Sequence, residues 1–253
     1  MKQEKQRQKK RKTFLTIMFL LFPLLYYYFS PYLIIMGASE GVVTGSFIIF
    51  IALFIASLFM GRAFCGWVCP AGGQQELSVK LRDIRFKGGR RDWFKYFIWA
   101  PWLMLIAFIF ISAGGIRYVD FFYQTYYGLS ISNFESLILF LMILIIIAVV
   151  ALVTGRRGFC HTACWMAPFM IIGRRMRNAT GLPALSIKAN QSRCIDCQKC
   201  SESCPMSLDV HGMVKSNYME NDECILCATC SDVCPNSVVE LAFCKLNKKK
   251  GLQ

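Results

Sequence analysis

The sequence predicts an all-α polytopic membrane domain followed by a small α+β cysteine-rich domain. Three observations carry that prediction. Four apolar stretches have membrane-spanning length, Lys and Arg crowd alternate flanks of those stretches, and two cysteine runs near the C-terminus share one spacing. The chain has 253 residues, 55% of them hydrophobic, and a mean hydropathy of +0.43. That is more apolar than an ordinary soluble protein.

Met1–Lys12 form a basic N-terminal segment (1–12) with seven Lys or Arg. A four-helix membrane domain is expected over 13–172. Its transmembrane helices run approximately Thr13–Met36, Val42–Met60, Trp93–Ala113 and Leu137–Val153, each matched to a hydrocarbon core of about 30 Å. Pro23 and Pro31 should kink the first, which membrane helices tolerate when neighbours re-satisfy the freed backbone. That stretch is too long for a secretory h-region, and no clean small-x-small cleavage site follows it.

The Gly61–Asp92 loop carries seven further Lys or Arg. The Gly37–Gly41 turn has none, and the Gly114–Phe134 loop has only Arg117. Arg156, Arg157, Arg174, Arg175 and Arg177 resume the basic pattern after the fourth stretch. The positive-inside rule then places the N-terminus, the middle loop and the C-terminal segment in the cytoplasm, with basic segments against anionic membrane lipid. The net charge of +14 is accounted for by this placement. There is no basic surface interleaved with stacking aromatics and no nucleic-acid motif, so nucleic acid is not expected as a partner.

Arg62-Ala63-Phe64-Cys65-Gly66-Trp67-Val68-Cys69 follows the second stretch, and Arg157-Gly158-Phe159-Cys160-His161-Thr162-Ala163-Cys164 follows the fourth. Both read R-[AG]-F-C-x3-C, and the cysteine pairs lie 95 residues apart. The membrane domain is therefore expected as two parallel two-helix repeats, 13–92 and 93–172, related by an axis along the membrane normal. On a helical turn the thiols of each pair share a face, and pseudo-symmetry would bring Cys65, Cys69, Cys160 and Cys164 together at the inner membrane surface. Such a four-thiol site could hold a third metal group, foremost an iron–sulfur cluster, serve as a redox dithiol pair, or consist of small residues that only pack helices. His161, Arg62, Arg157, Trp67 and Trp165 flank it, as supports for a metal group or as a quinone lining. A second place for quinone is the aromatic outer loop near Arg117 and Asp120; an interfacial aromatic belt explains that loop equally.

A linker (173–187) leads to the cysteine-rich domain (188–246), which is followed by a basic tail (247–253) with Lys248, Lys249 and Lys250. Cys194, Cys197, Cys200 and Cys204 precede Pro205, and Cys224, Cys227, Cys230 and Cys234 precede Pro235. Each run reads C-x2-C-x2-C-x3-C-P, the run of two-cluster bacterial ferredoxins, in which the fourth cysteine ligates the other cluster. The resemblance implies a [4Fe–4S] cluster on Cys194, Cys197, Cys200 and Cys234, and a second on Cys224, Cys227, Cys230 and Cys204. Disulfides would need an oxidising compartment, and all-cysteine zinc sites usually pair two C-x2-C units across a longer loop. Cys244 belongs to neither run and reads as a free structural thiol.

The four spans, Cys65–Pro70, the second C-x3-C and the C-terminal cysteine runs together resemble the NapH type of membrane polyferredoxin, a group related to the membrane parts of the NosR and RdxA/CcoG proteins. The resemblance implies a multi-pass protein of a bacterial or archaeal inner membrane that exchanges electrons with the quinone pool. It further implies another redox protein or subunit as partner, with the chain serving as an electron-transfer subunit of a quinol-linked oxidoreductase. One departure is that Cys164 is followed by Trp165, with proline only at Pro168, so the second motif is expected to turn differently. Of the two histidines, His161 and His211, neither lies mid-span, and no C-x-x-C-H occurs; no haem is expected. No nucleotide fingerprint or catalytic constellation is present. A copper reductase or assembly factor using the C-x3-C pair, and a redox-sensing accessory subunit, remain as other readings.

Overall fold

The computed structural model describes residues 2–131 and 133–245, with side chains from Gln6 onward. The tail expected over 247–253 lies outside the described residues. Helix α1 (Lys2–Leu20) breaks before α2 (Phe22–Leu25), which continues as a 3-10 turn over Tyr26–Phe29. The pieces meet at 59°, with Pro23 inside the first turn of α2, where it cannot continue the preceding hydrogen-bond ladder. Helix α3 (Pro31–Glu40) starts on the Ser30 cap and ends at Gly41, whose φ of +73° a β-carbon would disfavour. Strand β1 (Val42–Thr44), helix α4 (Gly45–Met60) and the short helices α5 (Ala63–Trp67) and α6 (Pro70–Ser78) complete the first repeat.

The second repeat contains α7 (Phe94–Ser112), β2 (Tyr118–Asp120), α8 (Phe134–Thr154), α9 (Gly158–Thr162) and α10 (Ala167–Thr180). The two strands pair in parallel, Val42 opposite Tyr118, so this half is helical save for one short ladder. Packing between the repeats is reciprocal. Helix α4 lies on α10, and its counterpart α8 lies on α6. Gly173 on α10 lets Ser57 and the Phe54 carbonyl of α4 approach closely. Gln74 on α6 donates to the Leu144 carbonyl of α8 at 2.7 Å. Such an exchange of equivalent contacts is the property of a two-fold interface.

The four expected spans differ in kind. Arg90–Ser112 and Phe134–Thr154 are long and apolar enough to cross a membrane, and Gln6–Leu20 with Phe22–Phe29 qualifies only if the bent pair is one span. The expected Thr13–Met36 helix is thus broken twice, at Leu21 and at Ser30. Helix α4 is apolar but has 16 residues, about 24 Å of helix, short of the roughly 20 residues a core needs. By length and composition two helices among the described residues, or three spans with the bent pair, could cross a membrane, so four transmembrane helices are not shown.

The 173–187 stretch, read as a linker, carries regular structure: it contains the end of α10 and the start of β3 (Ala184–Ala189). Strand β3 pairs antiparallel with β4 (Val239–Cys244), Ala184 opposite Cys244. The strands close the cysteine-rich domain around α11 (Lys199–Glu202), α12 (Val210–Lys215) and α13 (Thr229–Asp232). Several basic residues expected at lipid headgroups point inward instead. Arg11, Arg62, Arg157, Arg174 and Arg177 are buried and meet carboxylates, as in the Arg174–Glu220 pair at 2.6 Å.

Candidate metal centres

The two cysteine runs fold alike. Asp196 and Gln198 in the first, and Leu226 and Ala228 in the second, all have φ between +50° and +61°. Ser207 and Ser237, each three residues past a fourth cysteine, share that conformation. Side-chain-bearing residues occupy this region at a cost of about 1–3 kcal/mol. Turns of this kind can aim successive N–H groups inward, the concavity that holds anions and iron–sulfur groups.

Each run supplies three cysteines to one cavity and one to the other. Cys194, Cys197, Cys200 and Cys234 line the outer cavity. Cys204, Cys224, Cys227 and Cys230 line the inner one, together with Ile187, Met206 and Ile225. The inner cysteines are buried, whereas Cys197 is exposed and Cys194, Cys200 and Cys234 are half-buried. Burial, with Cys227 and Cys224 next to it, pushes the Cys204 thiol up to about 12. Burial and the neighbouring cysteines likewise raise Cys230 well above an ordinary thiol. Without a cation these thiols hold their protons; a bound metal must displace them.

Cys65, Cys69, Cys160 and Cys164 converge on a third cavity, walled by Phe22, Tyr26, Ile147 and Trp165 among others. All four are buried. The departure after Cys164 leaves the motif itself unchanged. Val68 and Cys69 donate to the Phe64 carbonyl at 2.9 and 3.0 Å, and Ala163 and Cys164 donate to the Phe159 carbonyl at 3.0 Å each. Only the next helix shifts: α6 starts at Pro70, directly after Cys69, and α10 starts at Ala167. Burial raises the Cys69 thiol well above its ordinary value, with Cys65 and Cys160 adding to it, and Cys164 is pushed up to about 12.

The wall of this cavity is apolar, and two arginines adjoin its thiols from behind. Arg62 and Arg157, equivalent positions of the two repeats, are fully buried. Arg157 donates to the Cys65 carbonyl and to Glu76, each at 2.6 Å, and Arg62 donates to Glu223 at 2.8 Å. The Arg62 Nε and Nη2 and the Arg157 Nε have no partner among the described residues. Orphaned cationic donors beside thiols fit an anionic thiolate-ligated group. Gln75, fully buried, donates to the Cys160 sulfur at 3.1 Å, while its oxygen accepts from the Phe159 N–H at 3.0 Å.

Sulfur spacing separates cluster from single ion. Among the described residues no three of these thiols lie within 4.8 Å of one another, although Cys194 lies that close to Asp196 and His211 at the outer cavity. Four thiolates on one tetrahedral zinc, at about 2.3 Å each, would sit about 3.8 Å apart. The four-cysteine sets of the three cavities therefore suit a larger group better than a mononuclear ion.

The remaining sequence-singled residues divide. Trp165 lines the four-cysteine cavity and donates to the Phe29 carbonyl at 3.1 Å. Trp67 turns to the cysteine-rich domain and donates to the Leu226 carbonyl at 3.1 Å. His161 also turns away from the cavity. Its Nδ1 is 2.6 Å from Asp92, its Nε2 is 3.2 Å from the Met206 carbonyl, and it stacks on Phe86 at 4.2 Å. In the outer loop, Arg117 donates to the Ala113 carbonyl and Asp120 accepts from the Phe122 N–H, at 2.9 Å each.

Sequence reasoning did not single out Glu223, Glu76 or Lys95. Glu223, directly before Cys224, joins Arg62 and Lys95; Glu76 joins Arg11 and Arg157. Burial alone would raise both carboxyls, but the surrounding cations hold both below the ordinary carboxylate range. The one available signal was a carboxylate adjoining a candidate ligand in a strongly basic chain.

The 4Fe-4S binding domain family matches the chain twice, over residues 42–88 and 136–183, and the 4Fe-4S dicluster domain matches residues 193–239. The two copies end 95 residues apart, the spacing of the cysteine pairs. The chain is an iron–sulfur protein. It is 26% identical over 75% of its length to YccM of Escherichia coli (strain K12), whose name assigns it provisionally to electron transport. It is 24% and 23% identical, over 62% and 63% of its length, to the uncharacterized proteins MJ0749 and MJ0750 of Methanocaldococcus jannaschii. The chain spans 54%, 56% and 65% of the lengths of these three relatives. No solved structure matches it.

Proposed function

We propose that the chain is a membrane-bound electron-transfer protein. It would relay electrons between a membrane redox partner, the quinone pool by the resemblance, and [4Fe–4S] clusters on its cytoplasmic side. The observation that carries this reading is the succession of three four-cysteine cavities. The first lies in the membrane half, the second is buried where the halves meet, and the third is at the exposed end. Trp67 and Arg62 bond the backbone around the inner run, and a β-carbon on Gly66 would collide with the Ile225 carbonyl. The first and second cavities are thereby held side by side.

Cys65, Cys69, Cys160 and Cys164 would hold a third cluster, and the two ferredoxin-like cavities would each hold one. When bound, such clusters supply one-electron carriers whose potentials follow burial and hydrogen bonding to sulfur. The chain's own residues provide those controls: Gln75 donates to Cys160, the two arginines balance thiolate charge, and the apolar wall excludes water. Membrane embedding is supported by the outward apolar residues of the long helices, among them Phe97, Phe108, Ile111, Phe134 and Ile145.

Iron and sulfide analysis of the intact protein tests the cofactor count. About twelve irons per chain are expected, and about eight would remove the third cluster. Redox titration with a menaquinol analogue tests the relay. Reduction of the clusters by the quinol is expected. If the quinol leaves them oxidised even with the natural partner subunits present, the relay reading fails and a sensing role takes its place. Copper held by the C-x3-C cysteines at the expense of iron would likewise overturn it.

A further inference from the structure

A cavity of about 680 Å³ opens where α1 and α6 meet the cysteine-rich domain, beside Cys234 and Pro235. It adjoins the outer four-cysteine cavity, with which it shares Cys234 and Pro235, and its walls are of two kinds. Leu15, Leu77 and Val79 form apolar floor, and Lys12, Lys80 and Lys199 stand at its rim with their side chains exposed. Its five cationic side chains face two carboxylates. Glu76 pairs with Arg11, one of those five, and with Arg157; Asp232 pairs with Arg7, and Arg156 pairs with Asp83. Lys12, Lys80 and Lys199 have no ion-pair partner among the described residues.

Shape and placement define the ligand. The volume lies in the range of about 300–1,000 Å³ typical of small-molecule sites, and the cavity is concave, unlike a face for a protein. One turn further along α1 from Lys12, the outward side chains become apolar, with Phe14, Ile17 and Leu20 exposed. The cavity therefore sits at the level where a basic segment gives way to lipid-facing surface. An occupant must combine a phosphate-type anion with an apolar portion.

We propose that this cavity binds the headgroup of an anionic phospholipid through Lys12, Lys80 and Lys199. The lipid would bridge the halves, since Lys12 and Lys80 belong to the membrane half and Lys199 to α11 beside the outer cysteines. The inference rests on the membrane reading of the chain but not on electron transfer.

The test uses the full chain with its clusters, in a non-ionic detergent, followed by native mass spectrometry. Phosphatidylglycerol, phosphatidylcholine and inorganic phosphate are titrated separately and in competition. Phosphatidylglycerol should bind about tenfold or more tightly than phosphatidylcholine. The triple variant Lys12→Gln/Lys80→Gln/Lys199→Gln should lose that preference with its iron content unchanged. Lys9→Gln/Lys10→Gln, which removes exposed charge on the same helix outside the cavity, should keep it. Equal binding of the two lipids, a preference that survives the triple variant, or one abolished equally by the control variant would overturn the proposal. Displacement of phosphatidylglycerol by inorganic phosphate at comparable concentration would also overturn it, by identifying a free-phosphate site. The membrane reading is checked apart from these outcomes, by whether the wild-type chain sediments with membranes and needs detergent for release.

Discussion

The two cysteine runs share spacing, prolines and left-handed positions, yet the molecule treats them differently. Ile195, one residue after the first cysteine of the outer run, is 60% exposed; Ile225, its equivalent in the inner run, is 1% exposed. The inner run is gripped from several sides. Gln8 donates to the Cys227 carbonyl at 3.0 Å, Arg174 to the Cys224 carbonyl at 3.1 Å, and Trp67 to the Leu226 carbonyl at 3.1 Å. Around Cys194 and Cys197 the bonds are local to the domain, as with His211 and Lys215 on Asp196. Spacing decides what a run can ligate, and surroundings decide how deeply it is held.

The largest expected effect comes from removing one ligand from each cavity in turn. Cys227→Ser and Cys197→Ser should each lose about four irons, but with different consequences. Cys227→Ser removes a ligand at the junction of the halves. Quinol should then reduce at most the membrane-half site, and the domain should loosen because bound metal contributes folding energy. Cys197→Ser removes only the exposed end, so the inner cavities should still be reduced. Spectroscopic redox titration distinguishes the two, and identical titrations would contradict the order of cavities.

The next contrast concerns charge, because only the inner run has a buried carboxylate next to it. Glu223→Gln leaves the buried Arg62 without a counter-charge and Lys95 with only the more distant Asp92. Breaking a buried pair this way costs about 3–5 kcal/mol, which thermal or denaturant unfolding would register. The pH dependence has a definite sign. Glu223 and Glu76 are held below the ordinary value in the folded chain, so their contribution is complete above about pH 4.3, the unfolded value. It is lost as pH falls through the lower folded values. The Glu223→Gln variant should lose less stability than the wild type over that acid range; an unchanged acid dependence would show that this carboxylate is not part of it.

What could be read from sequence follows the range of the interactions. The cysteine spacings and the R-[AG]-F-C-x3-C repeat are local patterns, and they brought Cys65, Cys69, Cys160 and Cys164 to one cavity despite the altered proline. Arg62 and Arg157 were legible as flanks of the motif. Their jobs were not, because Arg62 meets Glu223 across 161 positions and Arg157 meets Glu76 across 81. Gln75 offered no signal at all. Apolar length did not foresee the breaks in the first expected span or the short helix in the second. Hydropathy is indifferent to the break at Leu21 and counts Val42–Thr44 with the helix, whereas the backbone there pairs with β2. Positive charge carried the expectation of a cytoplasmic side but could not separate lysines left at a rim from arginines buried against carboxylates.

The smallest effect tests the comparison at its simplest point, the equivalent isoleucines. Ile225→Ala opens a hole where the inner cavity meets α5 and should destabilise the chain by about 2–5 kcal/mol. Ile195→Ala changes an exposed side chain beside the outer cavity and should stay within about 0.5 kcal/mol. Neither residue is a ligand, so iron content at low temperature should be normal in both. Matched unfolding curves would then isolate what the surroundings contribute beyond the shared spacing. Equal destabilisation by the two substitutions would mean that the inner run is no more firmly embedded than the outer one, and that their difference lies only in the ligands they hold.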